Sequence, residues 1–190
     1  MHNNIPKLFQ FIESFETNLI KKEVKNLGVI YRNYSNKINK SNLIECNKFC
    51  NKNKIKLYLK NNIDLAMKLQ LSGVYLPSFN KKIIIKKTKL LRNFKILGSA
   101  HNIIEINRKI EQGCEIIFLA PLFKTKKSKN HLNISKFNIL TLNKKVKFIA
   151  LGGINSNNIS KTKMLNICGI SGISMFQKKK PAYIRPVFKI

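Results

Sequence analysis

The residues best suited to chemistry in this sequence are anion donors. Gly152-Gly153 follows the apolar run Val146-Lys147-Phe148-Ile149-Ala150-Leu151 and precedes Ile154-Asn155 and a stretch that reads as a helix. A second apolar run, Gly172-Ile173-Ser174-Met175-Phe176, lies just beyond. Paired glycines after a strand let backbone N–H groups face a phosphate, and a helix start adds its positive dipole end. A phosphorylated ligand is the first expectation; a plain strand-to-helix turn is the alternative. The segment Pro121–His131 adds Lys124, Thr125, Lys126, Lys127, Ser128 and Lys129, a dense donor set that reads either as an anion clamp or as a solvated basic loop. His101 suits a general acid or base and equally a helix-start residue.

Composition bounds what such residues can serve. With 190 residues and 44% hydrophobic content the chain can bury one sizeable core, so a single domain is expected. Its 37 Lys and Arg against 8 acidic residues give a net charge of +29, enough to attract polyanions at low salt. The lysines are spread along the whole chain beside abundant Asn and Ile, the mixture an A/T-rich coding sequence favours, and no zinc-finger, RNA-recognition or helix-turn-helix pattern is present. No specific nucleic-acid partner is expected. No apolar stretch approaches a membrane span, and the N-terminus lacks a secretory pattern. Cys46, Cys50, Cys114 and Cys168 have neither zinc-type nor CxxC spacing and read as buried free thiols, which suits a reducing cytoplasm. Nothing specifies an oligomeric state.

The elements that must carry these residues alternate from end to end. Strand patterns fall at Leu8–Ile12, Gly28–Arg32, Ile55–Leu59, Gly73–Leu76, Phe94–Gly98, Glu115–Leu119, Val146–Leu151 and Gly172–Met175. Between them apolar residues recur at helical spacing: Leu43, Cys46, Phe49 and Cys50; Ile63, Ala66 and Met67; Ile103, Ile106 and Ile110. Buried, Ile-rich strands alternating with helices predict one compact (β/α)8 barrel of parallel strands, residues 1–177, with a basic C-terminal tail, 178–190. Its first and fourth helices should be short or irregular, and a full closing helix is not expected. In such a barrel, function sits where strands run into helices, with phosphate near strands seven and eight. That face should receive Gly152, Gly153 and Ser174, together with Arg32, Lys60, Asn61, Ser99, His101 and the loop after strand six.

Six segments in order then carry a resemblance over nearly the full length: Gly28-Val29-Ile30-Tyr31-Arg32; Ile63-Asp64-Leu65-Ala66 with Gly73-Val74-Tyr75-Leu76-Pro77; Gly98-Ser99-Ala100-His101; Phe118 through Thr125; Ala150-Leu151-Gly152-Gly153-Ile154; and Gly172-Ile173-Ser174-Met175. Together they resemble the thiamine phosphate synthase family, which includes the related thiazole tautomerases. The resemblance implies a cytoplasmic transferase of thiamine biosynthesis that joins hydroxymethylpyrimidine diphosphate to thiazole phosphate and releases pyrophosphate, through a pyrimidine cation captured by the thiazole nitrogen. By position, Arg32, Ser99 and the lysines Lys127 and Lys129 would hold diphosphate, and Thr125, Gly152, Gly153 and Ser174 the thiazole phosphate.

Departures from the family pattern concern the metal. The carboxylates that would bind Mg²⁺ after strands three and four are replaced by Asn61 and Asn80, and Asp64 is the one aspartate in the chain. Two neutral amides suit Mg²⁺ poorly, so any Mg²⁺ is expected to be weakly held or carried by substrate. Tyr34 and Tyr75 also replace residues common in the family, and Pro121 stands where a tautomerase would have His. The leading expectation is a synthase in which Lys60 and the loop lysines supply the missing metal's charge. The alternatives are a diverged reaction, or a non-catalytic barrel that binds thiazole phosphate or thiamine phosphate.

Overall fold

The computed structural model describes residues 5–33, 38–81, 90–126, 128 and 130–172. Eight parallel strands close into a barrel in sequence order: β1 (Leu8–Ile12), β2 (Leu27–Tyr31), β3 (Lys56–Lys60), β4 (Gly73–Leu76), β5 (Lys95–Ala100), β6 (Ile116–Leu119), β7 (Lys147–Leu151) and β8 (Gly169–Ser171). The (β/α)8 expectation is met. Helices α1 (Lys40–Lys52), α2 (Ile63–Lys68), α3 (Ile103–Glu111) and α4 (Asn133–Thr141) and a 3-10 helix, Ile159–Met164, cover its outside. Between β1 and β2 the chain makes only turns, as expected for an irregular first connection. The fourth connection lies largely outside the described residues, as do residues 173–190 with the C-terminal tail.

Alternation along each strand divides the core in two. Phe9, Ile30, Tyr58, Tyr75, Leu97, Ile116, Phe118 and Ile149 point inward and fill the barrel, whereas their neighbours Val29, Leu57, Leu59, Val74, Ile96, Ile117 and Ala150 pack under the helices. Aromatic rings do much of the filling. Phe118 is fully buried and meets Phe9, Phe11 and Tyr75 with ring centroids 5.0, 5.7 and 5.8 Å away.

The abundant asparagines are structural. Asn39, Asn62 and Asn102 cap α1, α2 and α3, each side chain accepting a backbone N–H one turn in. Asn26, Asn61, Asn93, Asn133 and Asn143 adopt positive φ, a conformation Asn tolerates better than most residues. The first connection is held by Asn42, which exchanges hydrogen bonds with both backbone groups of Phe15 at 2.7 and 3.0 Å, and by Gln10, which donates to the Leu19 carbonyl at 2.6 Å.

Three sequence expectations need correction. The last described strand is Gly169–Ser171, which begins three residues before the expected Gly172–Met175; of that expected strand all but Gly172 lies outside the described residues. Sequence cannot choose between Gly169-Ile170-Ser171 and Gly172-Ile173-Ser174, which are identical triplets; Ile170 pairs with Leu8 on one side and Ala150 on the other, and a Cβ at Gly169 would come within 2.5 Å of the Lys7 carbonyl oxygen. The helix expected directly after Gly152-Gly153 is instead a turn followed by the short 3-10 helix. Asn155, Asn157 and Asn158 bond one another's backbone there, with Asn155 N–H donating to Asn158 Oδ1 at 2.8 Å and Asn157 N–H to Asn155 Oδ1 at 2.9 Å, which competes with helix formation. Finally, Ile110 is not a core residue of α3: it is exposed, and Lys109 takes the interior place beside Ile106. β1 and β4 fall where expected, and the remaining strand ends move by at most two residues, so that Arg32 stands just beyond β2 and Lys60 closes β3.

Candidate active site

Strand register brings three of the expected residues, Arg32, Lys60 and Ser99, to the inner edge of one mouth. Tyr31 pairs with Leu59, so the next residues, Arg32 and Lys60, arrive there side by side. Lys60 pairs in turn with Tyr75, and Ser99 with Phe118. Beneath them Phe11, Tyr75 and Phe118 form an aromatic floor, with Arg32 stacked 4.6 Å from the Phe11 ring centroid. Lys60 Nζ donates to the Asn33 carbonyl at 3.2 Å and lies 5.7 Å from the Phe79 ring centroid. Ser99 is almost buried, and its hydroxyl has no hydrogen-bond partner among the described residues.

Across the barrel from β3, the end of β7 carries Gly152 and Gly153 with φ of 96° and 72°. These values are costly for side chains, and the space is closed as well: a Cβ on Gly152 would sit 2.8 Å from Pro121 Cα, and one on Gly153 only 2.5 Å from the Phe123 carbonyl oxygen. The two turns are tied together, with Leu122 N–H donating to Leu151 O at 2.9 Å and Phe123 N–H to Gly152 O at 3.1 Å. The Gly153 carbonyl accepts from Asn158 Nδ2 at 2.8 Å. Among the described residues, no hydrogen bond outside the strand ladder uses the N–H of Gly152, Gly153 or Ile154. The site has a backbone cup on one side and two side-chain cations on the other.

The remaining predicted residues are elsewhere or differently engaged. Thr125 is folded into its own loop, its N–H donating to Ser128 O at 3.1 Å and its hydroxyl accepting the Ser128 N–H at 3.0 Å. Lys127, Lys129 and Ser174, and also Tyr34, lie outside the described residues. His101 precedes the α3 cap: its ring Nδ1 is 2.8 Å from the Ala120 carbonyl, while its backbone N–H donates to Glu105 at 2.7 Å. It lines a cavity of about 510 Å³ beside the β6 loop, together with Pro121, Thr125, His131 and Lys136.

Asn61 and Asn80, where the family pattern has carboxylates, bond each other: Asn80 Nδ2 donates to Asn61 Oδ1 at 2.9 Å. With Asn61 Oδ1 engaged, Lys60 adjacent in sequence and no cluster of three His, Cys, Asp or Glu among the described residues, this donor set does not fit a Mg²⁺ ion, which seeks several hard, preferably anionic oxygens. Asp64 is exposed in the first turn of α2.

Sequence reasoning missed Lys109, Gln112, Phe11 and Phe118. Lys109 had a signal: it falls three residues after Ile106, on the apolar face of α3, where a surface lysine does not belong. The aromatic floor had none before the register was known.

Comparison with known proteins agrees with the barrel fold. Residues 12–177 match the thiamine monophosphate synthase family. The chain is 36% identical over 134 residues to a thiamine-phosphate synthase of Prochlorococcus marinus MED4, covering 69% of this chain and 38% of that protein. It is 29% identical over 129 residues to the thiamine-phosphate synthase of Clostridium tetani, covering 66% and 61%. The chain thus spans well under half the length of the Prochlorococcus relatives it matches. The fold matches thiamine phosphate pyrophosphorylase from Pyrococcus furiosus with a TM-score of 0.73 at 16% identity, over 93% of this chain and 90% of that one. A TM-score of 0.64 to an aldolase that acts on 4-hydroxy-2-oxoglutarate shows that the barrel alone does not choose the chemistry. With the family match spanning most of the barrel, the chain belongs to the thiamine monophosphate synthase family.

Proposed function

We propose that this chain is a transferase that joins hydroxymethylpyrimidine diphosphate to thiazole phosphate, giving thiamine phosphate and pyrophosphate. The observation that carries the reading is the pairing of Arg32 and Lys60 at the inner rim, opposite the Gly152-Gly153 cup and above an aromatic floor. Heterolysis of the methylene C–O bond leaves its electron pair on pyrophosphate and a cation on the pyrimidine. The thiazole nitrogen lone pair then forms the new C–N bond. Such a route needs fixed positive charge at the leaving group more than a general base. Arg32 and Lys60 supply that charge, Ser99 donates to a diphosphate oxygen, and Lys127 and Lys129, assigned to the diphosphate by family resemblance, add to the positive charge. The N–H groups of Gly152, Gly153 and Ile154 hold the thiazole phosphate, and Thr125 and Ser174 are assigned to the same phosphate by family resemblance. Half-buried Phe11 presents its ring toward the transient cation, with buried Tyr75 and Phe118 packed behind it.

Mg²⁺ enters this reading only as a companion of the diphosphate, since the Asn61–Asn80 pair offers it no carboxylate. The same pair favours a second reading, a non-catalytic barrel that binds thiazole phosphate or thiamine phosphate. Reaction in the cytoplasm on phosphorylated small molecules, without membrane or nucleic-acid partners, belongs to the proposal; among the described residues no helix is long and apolar enough to cross a membrane.

Thiamine phosphate formation by the purified protein, with Mg²⁺ and with chelator, separates the two. Turnover that survives chelation and is lost in Lys60→Ala supports the synthase. Thiazole phosphate binding without turnover supports the binder.

A further inference from the structure

Lys109 is the one charged side chain among the described residues that is wholly buried. Its stem leaves α3 and crosses β5 where Gly98 gives it room; a Cβ on Gly98 would lie 2.9 Å from Lys109 Cδ. Its ammonium then donates to Pro77 O at 2.7 Å, Asn80 O at 2.9 Å and Gln112 Oε1 at 2.8 Å. All three donors of the ammonium are thereby used. Gln112 Nε2 also donates to Asn80 O, at 3.1 Å. Asn80 N–H closes a turn onto Pro77 O at 3.0 Å, so this short loop after β4 is gripped at both ends. From there the connection runs outward: Asn80 Nδ2 holds Asn61 Oδ1, and Asn61, turned by its φ of 60°, follows Lys60 directly. Burial lowers the Lys109 pKa below its ordinary 10.5, with Cys114 opposing the drop. An apolar side chain would fill the same space with less desolvation cost, but could not draw the Pro77 and Asn80 carbonyls to one point.

We propose that Lys109 is a positioning residue: through Asn80 and Asn61 it fixes the backbone that aims Lys60 at the leaving diphosphate. The proposal deepens the synthase reading and rests on it for the identity of that anion. No carboxylate or metal is needed for the chain Lys109–Asn80–Asn61–Lys60 to hold its shape.

The test uses inorganic pyrophosphate, the released product, measured calorimetrically against wild type, Lys109→Met, Asn80→Ala and the double variant, with thermal melts alongside. Lys109→Met and Asn80→Ala are each expected to weaken pyrophosphate binding by about tenfold, and the double variant no further, since both cut the same connection. In turnover, KM for the pyrimidine diphosphate should rise while KM for thiazole phosphate stays put, a split that a general loss of stability would not produce. Independent, additive effects, or a folded Lys109→Met that binds pyrophosphate as wild type does, overturn the proposal. If Lys109→Met does not fold, Gln112→Met decides: it removes one grip on Asn80 and should weaken pyrophosphate binding by about threefold, and an unchanged affinity is refuting. A wild-type protein that binds pyrophosphate without forming thiamine phosphate refutes the synthase reading while leaving the Lys109 test readable; one that binds no pyrophosphate refutes both.

Discussion

Gly153→Ala puts the greatest demand on the site with the smallest change. Alanine at a φ of 72° costs about 1–2 kcal/mol from the left-handed backbone alone. The new Cβ would also meet Phe123 O at 2.5 Å, Lys124 O at 2.7 Å and Phe123 C at 2.7 Å, all backbone atoms that cannot rotate aside. The β6 loop would have to retreat by most of an ångström, straining its bonds from Leu122 N–H to Leu151 O and from Phe123 N–H to Gly152 O. At about 0.5–1.5 kcal/mol for each hydrogen bond lost, the destabilisation should total about 2–5 kcal/mol. Urea unfolding reads it as a lower midpoint at unchanged slope. Because the cup and the β6 loop move together, affinity for thiazole phosphate should fall in the folded fraction as well. A midpoint within about 0.5 kcal/mol of wild type, the range of an ordinary surface substitution, would refute the claim that backbone contact locks these turns.

Other outcomes follow from the same geometry. Lys60→Ala should lower turnover by about 10²–10³-fold with little change in melting temperature, as for loss of one preorganised charge donor, and steady-state kinetics with a thermal melt checks it. Gly98→Ala should destabilise by about 1–3 kcal/mol, because its Cβ would reach Cys114 Sγ at 2.7 Å and Lys109 Cδ at 2.9 Å, side-chain atoms that can yield at some cost. Burial pushes the Cys114 thiol up to about 12 and the Cys168 thiol up to about 11, against an ordinary value of 9.0. Raised folded values mean that the stabilisation is complete below pH 9.0 and is lost as pH rises toward 11–12, where the unfolded chain has already released these protons. Cys46, Tyr31 and Tyr58 are also shifted upward and add to the loss, while Lys109, shifted downward, opposes it between its lowered value and 10.5, so urea midpoints measured from pH 8 upward should show a net fall.

Much of this protein was legible in the sequence. Alternating strand and helix patterns were enough for a closed parallel barrel, because strands buried on both faces must be continuous apolar runs and each parallel crossover needs a helix-length connection. The same order placed Arg32, Lys60, Ser99 and Gly152-Gly153 on one mouth, since every strand of such a barrel points the same way. What the sequence left undecided depended on contacts between distant segments. Of two identical Gly-Ile-Ser triplets, the first is in β8 through the pairing of Ile170 with Leu8 and Ala150, which no local pattern shows. The asparagines after Gly153 could start a helix or bond each other, and they bond each other. Lys109 stands out on the apolar face of α3, but its partners do not: only the fold brings Pro77, Asn80 and Gln112 around its ammonium. Asn61 and Asn80 lie 19 residues apart, so their hydrogen bond exists only once β3 and β4 pair. Local pattern determined which elements form and which way they point; register and packing, which are sums over non-local contacts, decided which side chains meet at the mouth and what holds them there.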